Sequence, residues 1–379
     1  MTDRIFLSKA HVTEVEEDLV LQAIRSGWVA PLGPFVDRFE KEMAERVGVA
    51  GSLALSSGTA APHLALVDVG ARAGRVVVLP AMTFVATANA VAYTGAELAF
   101  VDCRADDANV DVPLLLEAVR TLQSEGKDVA AVVTVDLFGR ACDYTTLMTG
   151  LTEVGVPLIE DAAEALGATH AGQAAGAFGR SAALSFNGNK IMTTSGGGML
   201  LSNDTEMIQR ARYLSTQARQ PVPWYEHTEI GYNYRMSNLL AAVGIGQLER
   251  LDGMIARRRR IRDRYAAGLA DVPGLTFLGR DAAGGDAHDN CWLTCVLLPP
   301  DTSVTPDDVI RELEEQDIEA RHLWKPMHLQ PVFAPARMFD RGISAHLFAR
   351  GVTLPTGSAL SDGDIDRVID AFRAALASS

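Results

Sequence analysis

Three short segments concentrate residue types that do chemistry. The first is Ser56-Ser57-Gly58-Thr59-Ala60-Ala61, set between a short apolar run and an alanine- and leucine-rich stretch. A strand-to-helix turn of this kind offers free backbone N–H groups and a helix dipole to an anion. Gly58 permits close approach and Thr59 adds a hydroxyl donor; the plainer alternative is an ordinary turn capped by Ser57 or Thr59. The second is Val156-Pro157-Leu158-Ile159-Glu160-Asp161-Ala162-Ala163-Glu164. A carboxylate closing a parallel strand faces the crevice where α/β sheets bind ligands. A solvated Glu160/Asp161 pair is the alternative, which the apolar residues before Asp161 and the small ones after it disfavour. The third runs from Ala182 to Gly198 and places Lys190 between a polar turn and a threonine- and glycine-rich loop. Lys190 is the only lysine between Lys127 and Lys325, so it stands out against the reading of an ordinary surface lysine.

Together these segments meet the needs of an aldehyde cofactor that carries a phosphate and a pyridine nitrogen. Such a cofactor wants an amine to form an imine, an anion cradle, and a carboxylate to keep the nitrogen protonated. Lys190 supplies the amine, the Ser57–Thr59 turn with Ser185 the cradle, and Asp161 the carboxylate. A carboxylate about 4 Å from a cationic nitrogen contributes on the order of 4 kcal/mol at an effective dielectric of about 20. That equals about three pKa units, enough to hold a pyridinium charged. Phe84 is the candidate to stack on the ring, with a plain core phenylalanine as the alternative. Rival chemistries lack their signatures: Gly126-Lys127 is followed by Asp128 rather than a hydroxyl residue, and the eight histidines form no H-E-x-x-H pair. The glycines at 167, 172, 176 and 179 lack dinucleotide spacing.

The elements that must position these residues read as a largely parallel α/β sheet. Strands are expected at Leu53–Ser56, Val76–Leu79, Ala99–Val101, Ala130–Thr134, Pro157–Ile159 and Ala182–Phe186. Helices are expected at Val12–Ser26, Ala60–Val69, Thr83–Tyr93, Pro113–Gln123 and Tyr144–Glu153. Near residue 250 the texture changes: a buried helix over Asn238–Arg250 is followed by the charged stretch Asp252–Arg264. Beyond it lie strands near Asp289–Leu298 and Ala320–Trp324, and helices near Pro306–Glu315 and Asp362–Ala375. This predicts a large domain over 1–249 and a small α+β domain over 250–379. The run Arg257–Arg260 reads as a solvated or interface face, and Ala282–Ala287 as a surface loop.

Composition narrows the classes further. The 379 residues carry 34 basic and 48 acidic side chains, a net charge of −14, which disfavours nucleic acid and anionic membranes as general partners. The uncharged run Val76–Ala96 is interrupted by Pro80, Asn89, Gly95 and threonines, so it reads as strand, turn and helix rather than a membrane span. Cys103, Cys142, Cys291 and Cys295 form no C-x-x-C pair and are expected as reduced core thiols. Met-Thr-Asp-Arg-Ile-Phe lacks the pattern of a signal peptide, and a cytoplasmic protein is expected.

Seven motifs in order complete the reading: LSSGTAAPHLAL, PAMTFVATANAV, DLFGRACDY, IEDAAEALGA, SFNGNKIMTTSGGGML, GYNYRMSNLLAAVGIGQLERLD and LWKPMHLQPVF. From about Ile5 to about Arg373 the chain resembles the DegT/DnrJ/EryC1/StrS family of pyridoxal-phosphate-dependent sugar aminotransferases, which have the fold type I, aspartate aminotransferase-like architecture. The resemblance implies a large, mostly parallel mixed sheet with a small α+β domain after it. It implies that Lys190 carries pyridoxal 5'-phosphate and moves protons, with pyridoxamine 5'-phosphate as the intermediate form. Asp161 would pair with the ring nitrogen, Gly58, Thr59 and Ser185 hold the phosphate, Phe84 cover the ring, and Glu164 lie near the cofactor hydroxyl. It also implies a homodimer with shared active sites, in which Asn233 reaches the partner's cofactor phosphate and Arg235 lies in the same region. The loop Trp28–Pro34, with Trp28 and Pro31, and the segment Trp324–His328, with Lys325 and His328, would border the nucleotide-sugar pocket. Two residues depart from the family pattern, Pro62 early in a helix and Arg75 where a carboxylate is commoner. Some relatives replace the lysine with histidine and act as dehydratases, so Lys190 favours transamination. The implied reaction moves an amino group from L-glutamate to a nucleotide-linked 4-keto-6-deoxy sugar, with UDP-4-keto-6-deoxy-N-acetylglucosamine foremost. A 3-keto sugar or cyclitol as acceptor, or a non-catalytic regulator or scaffold on the same fold, are the rivals.

Overall fold

The short β-branched runs become strands because apolar side chains on both faces need cover on both faces. The computed structural model describes residues 4–280 and 285–377. Its first part runs α1 (Glu14–Ser26), α2 (Pro34–Val47), β1 (Gly51–Leu55), α3 (Ala60–Asp68), β2 (Arg75–Pro80), α4 (Val85–Thr94), β3 (Glu97–Val101), α5 (Val112–Ser124), β4 (Asp128–Val135), α6 (Tyr144–Val154) and β5 (Leu158–Asp161). A two-stranded hairpin follows, β6 (Thr169–His170) with β7 (Gln173–Ala174), and then β8 (Ser181–Ser185), β9 (Gly198–Ser202), α7 (Thr205–Ser215) and α8 (Asn238–Gly268). The last part holds β10 (Thr276–Phe277), β11 (Thr294–Leu297), α9 (Pro306–Glu315), β12 (Arg321–His322), β13 (Arg337–Phe339), α10 (Ile343–Arg350), β14 (Gly351–Leu354) and α11 (Asp362–Ala377).

Eight strands form the main sheet in the order β1-β9-β8-β5-β4-β2-β3-β13. From β8 to β13 every neighbouring pair is parallel, and β9 runs antiparallel between β1 and β8. Alternate residues of β2 sort to opposite faces. Val77 and Leu79 join the core under α3, α4 and α7, whereas Val76 and Val78 join the core under α5 and α6. A third core packs α1, α2 and α8 against Ala182, Leu184, Met199 and Leu201 of the sheet. The architecture is the α/β fold expected, a large mixed sheet with a small four-stranded sheet, β10-β11-β14-β12, beside it. All four cysteines are buried and free, and among the described residues no helix is long and apolar enough to cross a membrane.

All six expected strands of the main sheet are present, most of them a residue or two longer. The sequence reading missed β9, hidden in the glycine-rich loop, and β13, together with α2, α7, α10 and β14. It also drew the domain boundary at residue 249, inside the single 31-residue helix α8. The amino-terminal segment belongs with the small sheet, not the large one. Ile5 N–H donates to the Asp317 carbonyl at 2.9 Å, and Glu319 N–H donates back to the Ile5 carbonyl at 2.9 Å. Conversely, β13 comes from beyond residue 250 yet pairs with β3 of the large sheet. The Arg257–Arg260 run is not a solvated face throughout: Arg258 is buried, and Arg259 donates to the Asp289 carbonyl. The expected loop Ala282–Ala287 lies partly outside the described residues, and Gly285–His288 forms one 3-10 turn.

Asp102 joins the two parts. Fully buried just after β3, it accepts hydrogen bonds from the backbone N–H of Arg341, Ile343 and Ser344 at the start of α10, at 2.8–2.9 Å. Against the cost of burial, these donors pull its carboxyl down to about 2. The stabilisation, roughly 2 kcal/mol, is complete above the unfolded pKa near 4 and is lost as pH falls toward 2. Asp102→Asn should therefore be destabilised by about 2 kcal/mol or more in urea unfolding at pH 7, and its deficit against the parent should shrink between about pH 4 and pH 2.

Candidate active site

The parallel strands deliver their carboxyl ends to one edge, and the site forms there. Beyond β1, Ser57 Oγ accepts the Ala60 N–H at 3.2 Å and so starts α3. This bears out the capping role for Ser57, and Thr59 occupies the N-cap position without a side-chain cap bond. Beyond β2, Thr83 and Phe84 lead into α4. Beyond β4, Phe138 turns the chain in a left-handed conformation, φ 55°. Asp161 closes β5, Ser185 closes β8, and the turn after Ser185 carries Lys190, whose N–H donates to the Asn187 carbonyl at 3.0 Å. These ends surround a cavity of about 250 Å³ lined by Ser57, Gly58, Thr59, Phe84, Asp161, Glu164, Ser185 and Lys190, with further residues named below.

Asp161 is 6% exposed. Its Oδ2 accepts the Thr87 hydroxyl at 2.7 Å and its Oδ1 accepts the Ala163 N–H at 3.1 Å. Burial pushes the carboxyl up, and these two donors with the nearby Lys190 charge pull it down. Its neighbour Glu160 points to the other face, accepting the N–H of Gly176 at 2.6 Å and of Phe178 at 2.8 Å, so a solvated acidic pair does not exist. Glu164 is also buried, which raises its carboxyl; Oε2 accepts the Phe138 N–H at 2.8 Å and Oε1 lies 3.4 Å from Lys190 Nζ. The Lys190 ammonium rests 4.0 Å from the centre of the Trp292 ring. Phe84, half exposed, meets Trp324 at 5.7 Å between ring centres, and Trp324 meets Phe138 at 5.8 Å.

The turn at Gly58 is tightly fitted. A Cβ there would lie 2.7 Å from Ser185 Cβ and Oγ, and a Cβ on Gly198 would lie 2.6 Å from Gly58 Cα. Backbone N–H groups at the start of α3 and the hydroxyls of Ser57, Thr59 and Ser185 can thus converge on one anion. The set fits a pyridoxal phosphate: an anion cradle at one end, a buried carboxylate for a cationic nitrogen at the other, and an amine between them.

Six other expected residues are not in this cavity. Trp28, Pro31, Asn233 and Lys325 are exposed, and His328 is half-buried with its Nδ1 shielded and unbonded. Arg235 is buried and ion-paired with Glu40 at 2.9 Å, which withdraws it from a direct ligand role in its own subunit. The sequence reading missed Thr87, one helical turn after Thr83 within PAMTFVATANAV, although the i, i+4 hydroxyl pair was a legible signal. It also missed Trp292, whereas Trp324, the first residue of the segment expected to border the sugar pocket, does line the cavity.

Fold and site together define a pyridoxal-phosphate-dependent sugar aminotransferase. The model of the DegT/DnrJ/EryC1/StrS aminotransferase family matches residues 11–373, and the chain belongs to that family. It is 45% identical over 98% of its length to EpsN of Bacillus subtilis (strain 168), which carries the name of a pyridoxal phosphate-dependent aminotransferase, and covers 95% of that protein. It is 36% identical to the GDP-perosamine synthase of Caulobacter vibrioides, covering 97% of each chain. Its fold superposes on the aminotransferase TlmJ of Streptoalloteichus hindustanus with a TM-score of 0.90 at 31% identity, over 99% of this chain and 100% of that one. Similar solved chains hold the cofactor in its PLP and PMP forms.

Gly58→Ala tests the cradle. With Ser185 and Gly198 already in contact, the methyl group must push the turn off its position, and affinity for pyridoxal phosphate should fall at least about tenfold. Equilibrium dialysis of cofactor against the full-length variant measures it.

Proposed function

We propose that the enzyme transfers an amino group from L-glutamate to the keto carbon of a nucleotide-linked 4-keto-6-deoxy sugar, with UDP-4-keto-6-deoxy-N-acetylglucosamine as its acceptor. The observation that carries the reading is Lys190 in one cavity with Asp161 and the Ser57–Thr59 turn. The bound cofactor supplies an electron sink that lets a C–H bond next to nitrogen break. Ser57, Thr59, Ser185 and the start of α3 bind the phosphate. Asp161, held by Thr87 and Ala163, keeps the proton on the pyridine nitrogen. Lys190 would carry the proton taken from the donor's α-carbon and, in the second half-reaction, the proton given to the sugar carbon. Glu164 lies beside that amine and orients it, while Phe84 and Trp324 line the cavity with apolar surface, Trp324 packed in turn on Phe138.

Asn233 is exposed and sits between Tyr232 and Tyr234, whose rings stack at 5.0 Å. That fixed, outward-facing position supports a homodimer in which Asn233 serves the second subunit's phosphate. Trp28, Pro31, Lys325 and His328 belong to the nucleotide-sugar side of the same proposal. Buried, free thiols support a reducing, cytoplasmic setting. A GDP-linked acceptor is the second reading, favoured by the identity to GDP-perosamine synthase.

Lys190→Ala should lose turnover by about 10³-fold or more while remaining folded. Retained turnover overturns the role of Lys190. A panel of UDP-, GDP- and dTDP-linked ketosugars, followed by release of 2-oxoglutarate from glutamate, should give the highest kcat/KM with the UDP sugar. A preference for the GDP sugar replaces the first reading with the second.

A further inference from the structure

The arginine run on α8 contains a cation in an uncommon setting. Arg258 is 2% exposed, and among the described residues no carboxylate pairs with it. Burial lowers its guanidinium to about 10. A buried charge without a counter-ion is costly, and an apolar side chain of similar length would fill the space at less cost. What the guanidinium adds is donors. Nη1 donates to the carbonyls of Trp292 at 2.7 Å and Thr356 at 3.1 Å, and Nη2 donates to Ser8 Oγ at 3.1 Å.

Both branches lead to Lys190. Because Ser8 Oγ accepts from Arg258, its own proton points onward, to the Asn189 carbonyl at 2.7 Å. That carbonyl, on the peptide that links Asn189 to Lys190, takes its second bond from Trp292 Nε1 at 2.7 Å. Trp292 also presents the ring face on which the Lys190 ammonium rests at 4.0 Å. The segment before it is fixed in turn: Asn290 Oδ1 accepts the Trp292 N–H at 2.8 Å, and Asn290 Nδ2 donates to the Glu164 carbonyl at 2.8 Å. Between them Cys291 holds φ 55°, a left-handed conformation that a non-glycine residue keeps only where its surroundings impose it. Chains of polarised hydrogen bonds reinforce one another in a dry interior.

We infer that Arg258 is a positioning residue for the catalytic lysine, acting through Ser8 and Trp292 to set where the Lys190 amine sits. The inference rests on the role of Lys190 proposed above. The amine must serve two carbons in turn, and a displacement of about 1 Å at such a group can cost about 10²-fold in rate.

The test uses full-length Arg258→Met, Arg258→Lys and Ser8→Ala. In protein stripped of cofactor, acylation of Lys190 by acetic anhydride, followed by peptide mass spectrometry, should differ from the parent by about threefold or more in R258M and S8A. In loaded enzyme, kcat should fall about 10- to 100-fold with KM for glutamate within about twofold. The isotope effect from deuterium at the glutamate α-carbon should rise, and R258K should recover part of each change. A role limited to stability would lower the melting temperature and leave Lys190 acylation and the isotope effect at parental values, which overturns the inference. If R258M does not fold, S8A decides, since it removes one hydroxyl from the same relay. Retained turnover in Lys190→Ala defeats the reading beneath. An inactive Lys190→Ala beside parental values in S8A and R258M defeats the inference alone.

Discussion

The site depends on one constraint: a carboxylate at the end of β5 is kept out of water. Asp161 has the Thr87 hydroxyl and the Ala163 N–H as its partners, and burial works against its charge. Such a group is tolerable where a cation is brought to it. The surrounding elements do this in two ways. The turn after β8 points a lysine amine into the same cavity, and the turn after β1 opens an anion cradle across from it. A ligand with a cationic ring nitrogen, an aldehyde and a phosphate satisfies all three demands at once. The main sheet serves as the jig, because parallel strands place every loop of consequence on one edge.

Much of this arrangement was legible in the sequence. The cavity residues Gly58, Thr59, Phe84, Asp161, Glu164, Ser185 and Lys190 all come from strand ends or the turns just after them, where polar residues interrupt apolar runs. What was illegible has physical causes. Trp292 lies in an apolar stretch between two cysteines, and no local pattern separates an aromatic that lines a cavity from one that fills a core. Its role follows from Arg258 and Ser8, far away in the chain. Strand β9 was hidden because Gly196-Gly197-Gly198 reads as a loop, yet Gly198 is the first residue of the strand and packs on Gly58. The helix α8 was split because its buried half and its charged half differ in texture, although one continuous helix runs through both, Gly253 at the junction included.

The small sheet is thus more than an appendage. The chain leading into β12 bridges the amino-terminal segment at Ile5, and that segment carries Ser8 to the back of the lysine turn. Trp292 and Trp324 reach the cavity from the same side. The aromatic wall and the lysine therefore share supports.

Strand β13 bears on how the molecule is made. It pairs with β3, yet it is synthesised after every other strand of the main sheet. While the polypeptide is still emerging from the ribosome, β3 presents an unpaired edge, and such edges invite pairing with other chains. The large sheet can assemble early through β1 to β9, but its outer margin is sealed only once β13 has been made. Sealing also delivers Arg341, Ile343 and Ser344 to the waiting carboxylate of Asp102. A segment made well after the strand it covers therefore acts as a latch on the sheet formed before it.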